Sequence, residues 1–210
     1  MRDRKPVFRI SPLLGLTGLY CAGKNFVGDI FTAKGFAVLD VDKLGYLALE
    51  NRRYEIAQRF GNGFLRPDGS VDRRVLGAYV FGRPEELAAL EKIVHPEVND
   101  LTFEWMEAHN GTPCVINAAL LHKSCVFTML DAIIFVRAPY IIRMFRAKKR
   151  DGLSWKEIWK RFSSQRFDVY YSIPKTDIYY INNWGCSFFS RLDYYRVEKR
   201  VNEILSVLRG

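Results

Sequence analysis

The stretch LLGLTGLYCAGKN, from Leu13 to Asn25, decides the fold of this 210-residue chain. Within it, Gly18 to Lys24 match the pattern G-x-x-x-x-G-K, in which glycines let successive backbone N–H groups face a phosphate. A strand-like run precedes the pattern and apolar residues at helical spacing follow it, so that a helix N-terminus faces the anion. We therefore predict a phosphate-binding loop in which Lys24 reaches the β- and γ-phosphates of a nucleotide. The predicted nucleotide contacts are Gly18, Leu19, Tyr20, Cys21, Ala22, Gly23, Lys24, Asn25 and Phe26.

The same stretch also has a superficial likeness to an export signal, because four basic residues in the first nine precede the uncharged run 10–22. Pro12, Gly15 and Gly18 interrupt that run, Gly23 follows it, and Tyr20 precedes Cys21 where a processing site requires a small residue. The run is also shorter than the roughly 18 apolar residues that a membrane span needs. The sequence favours the strand, and predicts a cytoplasmic protein with no membrane partner.

Asn25 departs from the loop pattern, which has Ser or Thr after the lysine to ligate Mg²⁺. An amide oxygen is also a hard ligand, but it lies further from the backbone than a hydroxyl does. Either Asn25 binds the metal, directly or through water, or the metal site is weakened.

Composition narrows the class of protein. A hydrophobic content of 49% supports one good-sized domain, and the net charge of +9 favours anionic partners, although a solvated basic surface explains the charge equally well. No nucleic-acid-reading motif is present, so no nucleic-acid partner is predicted. None of the four cysteines has the spacing of a metal site, and reduced thiols are expected. Cys21 is interpreted as an inert packing thiol, with an oxidisable thiol as the alternative.

Short β-like runs alternate with helical ones, which predicts an α/β fold: a three-layer core with about five parallel strands. The run 113–121 is interpreted as a buried strand, and Pro96 should break or kink the helix 85–109. RPDGS (66–70) predicts a turn, and SWKE (154–157) predicts a capping box that opens a helix. A closing helix is predicted whose apolar face carries Val197, Val201, Ile204, Leu205 and Leu208. The strands are predicted at 13–17, 36–40, 114–119, 132–138 and 177–182. We expect a single domain, 1–210, made of a core (10–42 and 112–210), a helical substrate-binding insertion (43–111) and a lid (140–170).

Two carboxylates follow the second predicted strand. Asp40 and Asp42 would share one face if the strand continued that far, at the sheet edge where ligands bind in open α/β folds. One of them could accept a proton from an attacking hydroxyl or hold Mg²⁺ through water. A helix N-cap is an equally good reading of Asp40, whereas Asp42 lies further out and is the better candidate.

A basic helix is predicted at 140–151. Arg146 and Arg150 are four residues apart and share a face, and phosphoryl transfer needs cations around the migrating charge. A solvated basic face is the alternative for this helix. His95 precedes Pro96, and a structural contact at the helix break is the simplest reading of that histidine.

Together with the motifs described above, one further stretch makes the chain resemble the dephospho-coenzyme A kinase family. The stretch FLRPDGSVDRRVLGAYVFGRPEELAALEKIVHPEV (64–98) is similar to the substrate-lobe signature of that family, with D-G-x-x-D-R followed by a helix and His-Pro. The order of the motifs also agrees, from GLYCAGKN through VLDVD and RAKKRDGLS to DIYYINNWG. The likeness covers about 13–208.

This resemblance implies transfer of the γ-phosphate of ATP to the ribose 3′-hydroxyl of dephospho-coenzyme A, with ATP and Mg²⁺ as cofactors. It implies that Asp42 is the base, that Lys24 steadies the phosphates, that Arg146 and Arg150 are lid arginines, and that Asn183 lies near the adenine. Asp42 with its neighbour Asp40, together with Arg73 and His95, would bind the acceptor. We expect a monomer or a small homo-oligomer.

The chain departs from the family at four places. Asn25 replaces the metal-binding hydroxyl, Tyr46 stands where the family has an arginine, and AALLH (118–122) lacks the proline and glutamate of the corresponding run. Tyr171 or a neighbour stands where the family has a lysine or arginine after Gln165. Two alternatives therefore stay open: a kinase for another small molecule or nucleoside, and a degenerate homologue that binds nucleotide without catalysis.

Overall fold

The computed structural model describes residues 11–152, 154–163, 177–185 and 191–209, without the side chain of residue 209. A five-stranded sheet has the order β2-β3-β1-β4-β5, and β1 runs parallel to both β3 and β4, as β4 does to β5. The strands are β1 Leu13–Gly18, β2 Ala37–Asp40, β3 Cys114–Asn117, β4 Ala132–Arg137 and β5 Asp177–Asn182. The predicted α/β fold with about five parallel strands is confirmed.

Helices connect the strands. Within the described ranges they are α1 Lys24–Ala33, α2 Val41–Asn51, α3 Arg53–Phe60, α4 Arg73–Val80, α5 Pro84–Ala108, α6 Tyr140–Asp151, α7 Trp155–Ser163 and α8 Arg191–Arg209. The chain divides into two compact units: the core unit contains the residues up to Leu39 and those from His109 onward, and the insertion unit is Asp40–Ala108. Gln165, Tyr171 and part of the predicted lid lie outside the described residues.

The core unit is built on β1, in which all six residues are buried. The apolar run that could be read as an export signal is thus the central strand of the sheet. Ile30 and Phe31 of α1 and Val201 and Ile204 of α8 bury their side chains in the same cluster. The predicted apolar face of the closing helix is confirmed, because stripes at helical spacing can only be removed from water against such a sheet.

The insertion unit has a core of its own, in which Ile56, Val71, Leu76 and Val80 are buried. The predicted turn at 66–70 is confirmed: Gly69 has a φ of 79°, and Leu65 and Val71 form an antiparallel bridge across the turn. Asp72 caps α4 because its side chain accepts hydrogen bonds from the backbone N–H groups of Arg74 and Val75.

The second strand ends at Asp40, as predicted, and α2 begins at Val41, so Asp40 and Asp42 do not share a strand face. One predicted strand end and the predicted helix break are wrong. The strand predicted at 113–121 ends at Asn117. Helix α5 is continuous through Pro96, because a proline ring removes only one helical hydrogen bond and the rest of the helix packs against its own unit. By contrast, the capping box of Ser154 and Glu157 at the start of α7 is confirmed.

None of the helices in the described part of the chain is both long enough and apolar enough to span a membrane.

Candidate active site

The loop from Gly18 to Gly23 connects the end of β1 to α1, and close packing requires both glycines. A Cβ at Gly18 would lie 2.3 Å from the carbonyl oxygen of Val136, and a Cβ at Gly23 would lie 2.3 Å from Nδ2 of Asn183. Gly23 also has a φ of 94°, in the left-handed region that glycine adopts without strain. Lys24 is the first residue of α1, so the helix N-terminus faces the concave side of the loop.

Arg146 fixes the rear of this loop. Its guanidinium donates hydrogen bonds to the carbonyl oxygens of Cys21 (3.3 Å) and Ala22 (3.0 Å). It also donates to the carbonyl oxygen and Oδ1 of Asn183, both at 3.3 Å, and to the carbonyl oxygen of Gly185 at 2.6 Å. Only 6% of Arg146 is exposed, and Nδ2 of Asn183 donates to Ala22 O at 2.9 Å. One buried arginine therefore joins the loop, α6 and the segment after β5.

Arg146 and Asn183 were both predicted to contact the nucleotide. The sequence assigned Arg146 to the migrating phosphate and Asn183 to the adenine, whereas in the structure both side chains donate to main-chain carbonyls of the loop and Arg146 also donates to Asn183 and Gly185. Arg146 and Asn183 consequently act as the support that shapes the loop. Any contact of either residue with a nucleotide stays a prediction.

Tyr20 connects the loop to the two lid helices. Its hydroxyl donates a hydrogen bond to Asp151, and Nη1 of Arg161 lies 3.2 Å from the same hydroxyl and 3.3 Å from Oδ2 of Asp151. Arg150 donates to both carboxylate oxygens of Asp151, at 2.7 and 3.1 Å. These hydrogen bonds, that from Arg150 first, hold the pKa of Asp151 below its ordinary value. Burial, and then the hydrogen bond to Asp151, raises the pKa of Tyr20.

Of the two predicted lid arginines, Arg150 thus contacts Asp151 at the turn between α6 and α7, and its guanidinium lies 5.2 Å from the centre of the Tyr20 ring. Its predicted contact with phosphate is not tested. Asp151 and Arg161 are neighbours of the loop that were not predicted from the sequence. The arginine at 161 lies within the helix that the capping box predicts, but spacing alone could not show that this helix returns to Tyr20.

Arg143 is a second buried arginine next to the loop. It is 8% exposed, donates to the carbonyl oxygen of Tyr20 at 3.4 Å, and lies 4.5 Å from the centre of the Phe162 ring. Burial lowers its pKa, because a charged guanidinium loses hydration there. Its spacing of three residues from Arg146 places both on one face of α6, which is the sequence signal that could have found it.

Cys21 has a φ of 58°, a left-handed conformation that costs a non-glycine residue about 1–2 kcal/mol. Burial raises the pKa of its thiol, so the neutral form predominates near pH 7 and the thiol is a weak nucleophile. This supports the prediction that Cys21 has a packing role.

At the opposite end of the loop, next to Lys24, the contact with the sheet is a hydrogen bond between two uncharged side chains. Oδ1 of Asn25, the second residue of α1, accepts a hydrogen bond of 3.1 Å from Nδ2 of Asn117, the last residue of β3. Oδ1 of Asn117 is buried and has no donor among the described residues. Hard amide oxygens fit Mg²⁺, so this pair could hold that ion directly or through water. In the described ranges no cluster of three or more His, Cys, Asp or Glu side chains offers another metal site.

A cavity of about 450 Å³ opens at the end of β5 in the core unit. This volume is within the range of small-molecule sites, and Asn183 links its wall to the phosphate-binding loop through Ala22. The lining residues are Asn182, Asn183, Trp184, Gly185, Asp193, Arg196 and Val197.

The insertion unit carries the predicted acceptor residues. Asp40 precedes α2 as its N-cap residue without a side-chain capping hydrogen bond, and Asp42 is exposed in the first turn of that helix. Tyr46, one turn after Asp42, is covered by the guanidinium of Arg73, whose Cζ lies 4.3 Å from the ring centre. His95 is exposed on α5. The structure thus brings Tyr46, a departure from the family pattern, into contact with the predicted acceptor residue Arg73.

The family model for dephospho-CoA kinase matches residues 12–169. This chain belongs to the dephospho-CoA kinase family. The dephospho-CoA kinase of Treponema denticola is 30% identical to it over 200 residues, which cover 90% of this chain and 90% of that protein. Family membership makes the chain a P-loop kinase, a class of transferases that use ATP.

Two solved structures extend the likeness to three dimensions. The crystal structure of a Thermus thermophilus protein has 29% sequence identity and a TM-score of 0.77, covering 95% of this chain and 99% of that one. The dephospho-CoA kinase of Campylobacter jejuni, at 22% identity and a TM-score of 0.60 over 95% of this chain and 99% of that one, shares the fold.

Proposed function

We propose that the protein transfers the γ-phosphate of ATP to the ribose 3′-hydroxyl of dephospho-coenzyme A, giving coenzyme A and ADP. The loop carries this proposal: Gly18 and Gly23 allow a backbone path with no room for a side chain, and the path ends at Lys24 on a helix N-terminus. That arrangement supports the binding of the nucleotide phosphates. The family to which the chain belongs supports the acceptor.

In this mechanism Asp42 accepts the proton of the 3′-hydroxyl as its oxygen attacks the γ-phosphorus. The bond between that phosphorus and the bridging oxygen of ADP breaks on the opposite side, and ADP leaves as the anion. Lys24 neutralises charge on the β- and γ-phosphates, and the N–H groups at the start of α1 hold the anion without needing to reorganise. Arg146 and Asn183 keep the carbonyls of Cys21 and Ala22 turned away from the phosphates.

Asp42 is suited to proton acceptance by its exposure. It is exposed on the first turn of α2, so a bulky acceptor can reach its carboxylate. Tyr46 and Arg73 form a cation–aromatic pair in the same unit, and we assign this pair, with His95 and Asp40, to acceptor binding. Arg73 would pair with acceptor phosphates and Tyr46 would hold its guanidinium in place.

Mg²⁺, when bound with ATP, would supply positive charge that offsets the negative charge of the phosphates during transfer. Asn25 and Asn117 offer it neutral oxygen ligands. We further propose that Arg150 approaches the phosphates when nucleotide is bound, that the cavity beside Asn183 accepts the adenosine, and that the enzyme acts in the cytoplasm as a monomer or small homo-oligomer.

The test is a coupled assay of ADP release with dephospho-coenzyme A as acceptor. Asp42→Ala should lower kcat by about 100-fold or more, because general-base assistance is lost, while the Kd for ATP stays within about twofold. Asp100→Asn, which removes an exposed carboxylate from α5 of the same unit, is the matched control and should keep wild-type turnover. Unchanged turnover of Asp42→Ala would remove the base from the mechanism.

The neutral pair Asn25–Asn117 favours a second function, in which the protein binds nucleotide but does not transfer phosphate. ATP binding by calorimetry with no product from dephospho-coenzyme A, or from a panel of nucleosides and other phosphate acceptors, would establish that function. Transfer to a different acceptor alone would instead identify a kinase of another specificity.

A further inference from the structure

Two asparagines meet where the sheet reaches the phosphate-binding loop. Asn117 ends β3 and is aligned with Leu16 of the neighbouring β1, the strand that leads into the loop. Its Nδ2 group donates to Oδ1 of Asn25 at 3.1 Å, so the end of β3 contacts the first turn of α1 directly. Asn25 faces solvent, whereas Asn117 is only 4% exposed.

The second observation concerns Oδ1 of Asn117, which is buried without a hydrogen-bond donor in the described ranges. Burying an amide oxygen without a partner costs about 1–3 kcal/mol, and natural proteins rarely keep such a group without a use. A cation is one partner that satisfies a buried oxygen of this kind. The position at the carboxyl end of a strand, beside the loop, is where ligands bind in open α/β sheets.

In P-loop enzymes the side chains at these two positions bind the same metal ion. The hydroxyl after the loop lysine and a carboxylate on a neighbouring strand hold Mg²⁺ together. Here both positions are amides, and they are chemically complementary because each amide has one oxygen and one NH₂ group. The NH₂ group of Asn117 orients Asn25, and this leaves the oxygen of Asn117 for the metal.

We propose that Asn25 and Asn117 form a single functional unit, an uncharged amide pair in which Asn117 Oδ1 is a ligand, direct or through one water, of the divalent cation that enters with the nucleotide. This inference rests on the proposed use of ATP. Because the pair has no charge, it attracts a bare cation weakly, and the phosphates supply most of the metal affinity. The pair also makes Asn25 dependent on Asn117.

This dependence predicts a reversal of sign. Asn25→Ser shortens the side chain by one bond and leaves the buried NH₂ of Asn117 without its acceptor, so the single substitution should weaken metal-dependent nucleotide binding. In the Asn117→Asp background the same substitution places a hydroxyl next to a carboxylate and should strengthen it. Asn25→Ser alone is therefore not expected to restore an ordinary metal site.

The first experiment measures the Kd of ADP by calorimetry in excess EDTA and in saturating Mg²⁺. The ratio of the first Kd to the second is the metal-dependent gain in affinity, and this gain is compared between the wild type and the variants. Asn117→Asp should increase this metal-dependent gain about tenfold, and Asn25→Ser should decrease it alone but increase it together with Asn117→Asp. Asn62→Asp adds the same charge at an exposed position in the insertion unit and should leave the gain unchanged. Equal effects of Asn25→Ser in the two backgrounds would overturn the pair.

The second experiment uses the wild-type protein and so does not depend on the folding of a variant. In ¹⁵N NMR spectra, Mn²⁺·ADP should broaden the side-chain NH₂ signals of Asn25 and Asn117 beyond detection, while Mg²⁺·ADP leaves them sharp and Asn62 stays sharp in both. A sharp Asn117 signal with Mn²⁺·ADP bound would refute the proposal. Both readouts use binding alone, so absence of transfer to dephospho-coenzyme A would refute the proposed acceptor and leave this result standing.

Discussion

The two halves of the phosphate-binding loop are held in different ways. The first half, at Tyr20, Cys21 and Ala22, is fixed from behind by buried or charged groups, foremost among them the guanidinium of Arg146 with its five acceptor contacts. The second half, at Lys24 and Asn25, has a neutral hydrogen bond to Asn117 as its link to the sheet edge.

The difference teaches where this fold can vary. A buried guanidinium that satisfies main-chain carbonyls cannot be exchanged without leaving those carbonyls unpaired, so the rear half is tightly constrained. The front half faces the nucleotide, where the metal and the phosphates supply charge and a neutral ligand can substitute. Four substitutions test this contrast.

Arg146→Ala should have the largest effect. It removes the Arg146 donor from the carbonyl oxygens of Cys21 and Gly185 and leaves Ala22 O with Asn183 alone, and we expect a loss of about 3–4 kcal/mol in the free energy of unfolding, measured by urea denaturation. Lys149→Ala, an exposed cation on the same helix, is the control and should change stability by less than about 0.5 kcal/mol. A loss below about 1 kcal/mol for Arg146→Ala would contradict the contrast between the two halves.

Gly23→Ala should have the next largest effect. We expect its free energy of unfolding to fall by about 2 kcal/mol and its ATP binding to fall below detection by calorimetry. Its new Cβ would meet Nδ2 of Asn183 at 2.3 Å, at a φ of 94°. Gly35→Ala separates the two causes, because Gly35 has a φ of 85° and open space around its Cβ position. The free energy of unfolding of Gly35→Ala should fall by only about 1 kcal/mol, and the variant should still bind ATP. Equal losses of stability in both variants would mean that the positive φ, and not the contact with Asn183, causes the whole effect.

Asp151→Asn should lower the free energy of unfolding by about 1 kcal/mol at pH 7. It should also remove part of the decrease in stability that the wild type shows at acid pH. The pKa of Asp151 lies below its ordinary value of 3.8 in the folded state, chiefly because of Arg150. Its stabilising contribution is therefore present above about pH 4 and is lost as the pH falls through the lower, folded pKa. Thermal unfolding between pH 7 and pH 2.5 should show the variant and the wild type converging, whereas Asp100→Asn should follow the wild type throughout.

Cys21→Gly should have the smallest effect, a gain of about 0.5 kcal/mol, because relief of the left-handed strain exceeds the extra entropy of an unfolded glycine. Cys21→Ala keeps the strain and should show no gain in the same denaturation experiment. A loss in Cys21→Gly as large as in Cys21→Ala would mean that the thiol contributes more by packing than its φ costs.

The residues that local pattern could predict are those whose role follows from spacing. The loop from Gly18 to Lys24, the capping box at Ser154 and the apolar face of the closing helix each depend on neighbours within a few residues, and the structure bears them out. The pattern also placed the end of β2 at Asp40, but it left open whether Asp42 shares the same strand face, because alternation cannot distinguish a continuing strand from a helix that begins at Val41.

The contacts that the sequence could not give are those between distant segments. Asn117 meets Asn25 across 92 residues, and Arg161 meets Tyr20 across 141. Arg146 was found by its spacing from Arg150, but spacing could not tell that its guanidinium is directed to the rear of the loop. Helical periodicity predicts which residues share one face of a helix. It does not predict what that face contacts, because that depends on how the helix packs against the sheet.

The hydrogen bond from Asn183 to Ala22 joins residues 161 positions apart, and it has a consequence for the order of events during synthesis. The phosphate-binding loop leaves the ribosome long before the side chain that braces it, because Asn183 is synthesised 161 residues after Ala22. A chain arrested before β5 carries the complete G-x-x-x-x-G-K sequence without the means to hold it in shape. Capture of nucleotide by the nascent chain should therefore begin only after Asn183 has emerged, late and in one step.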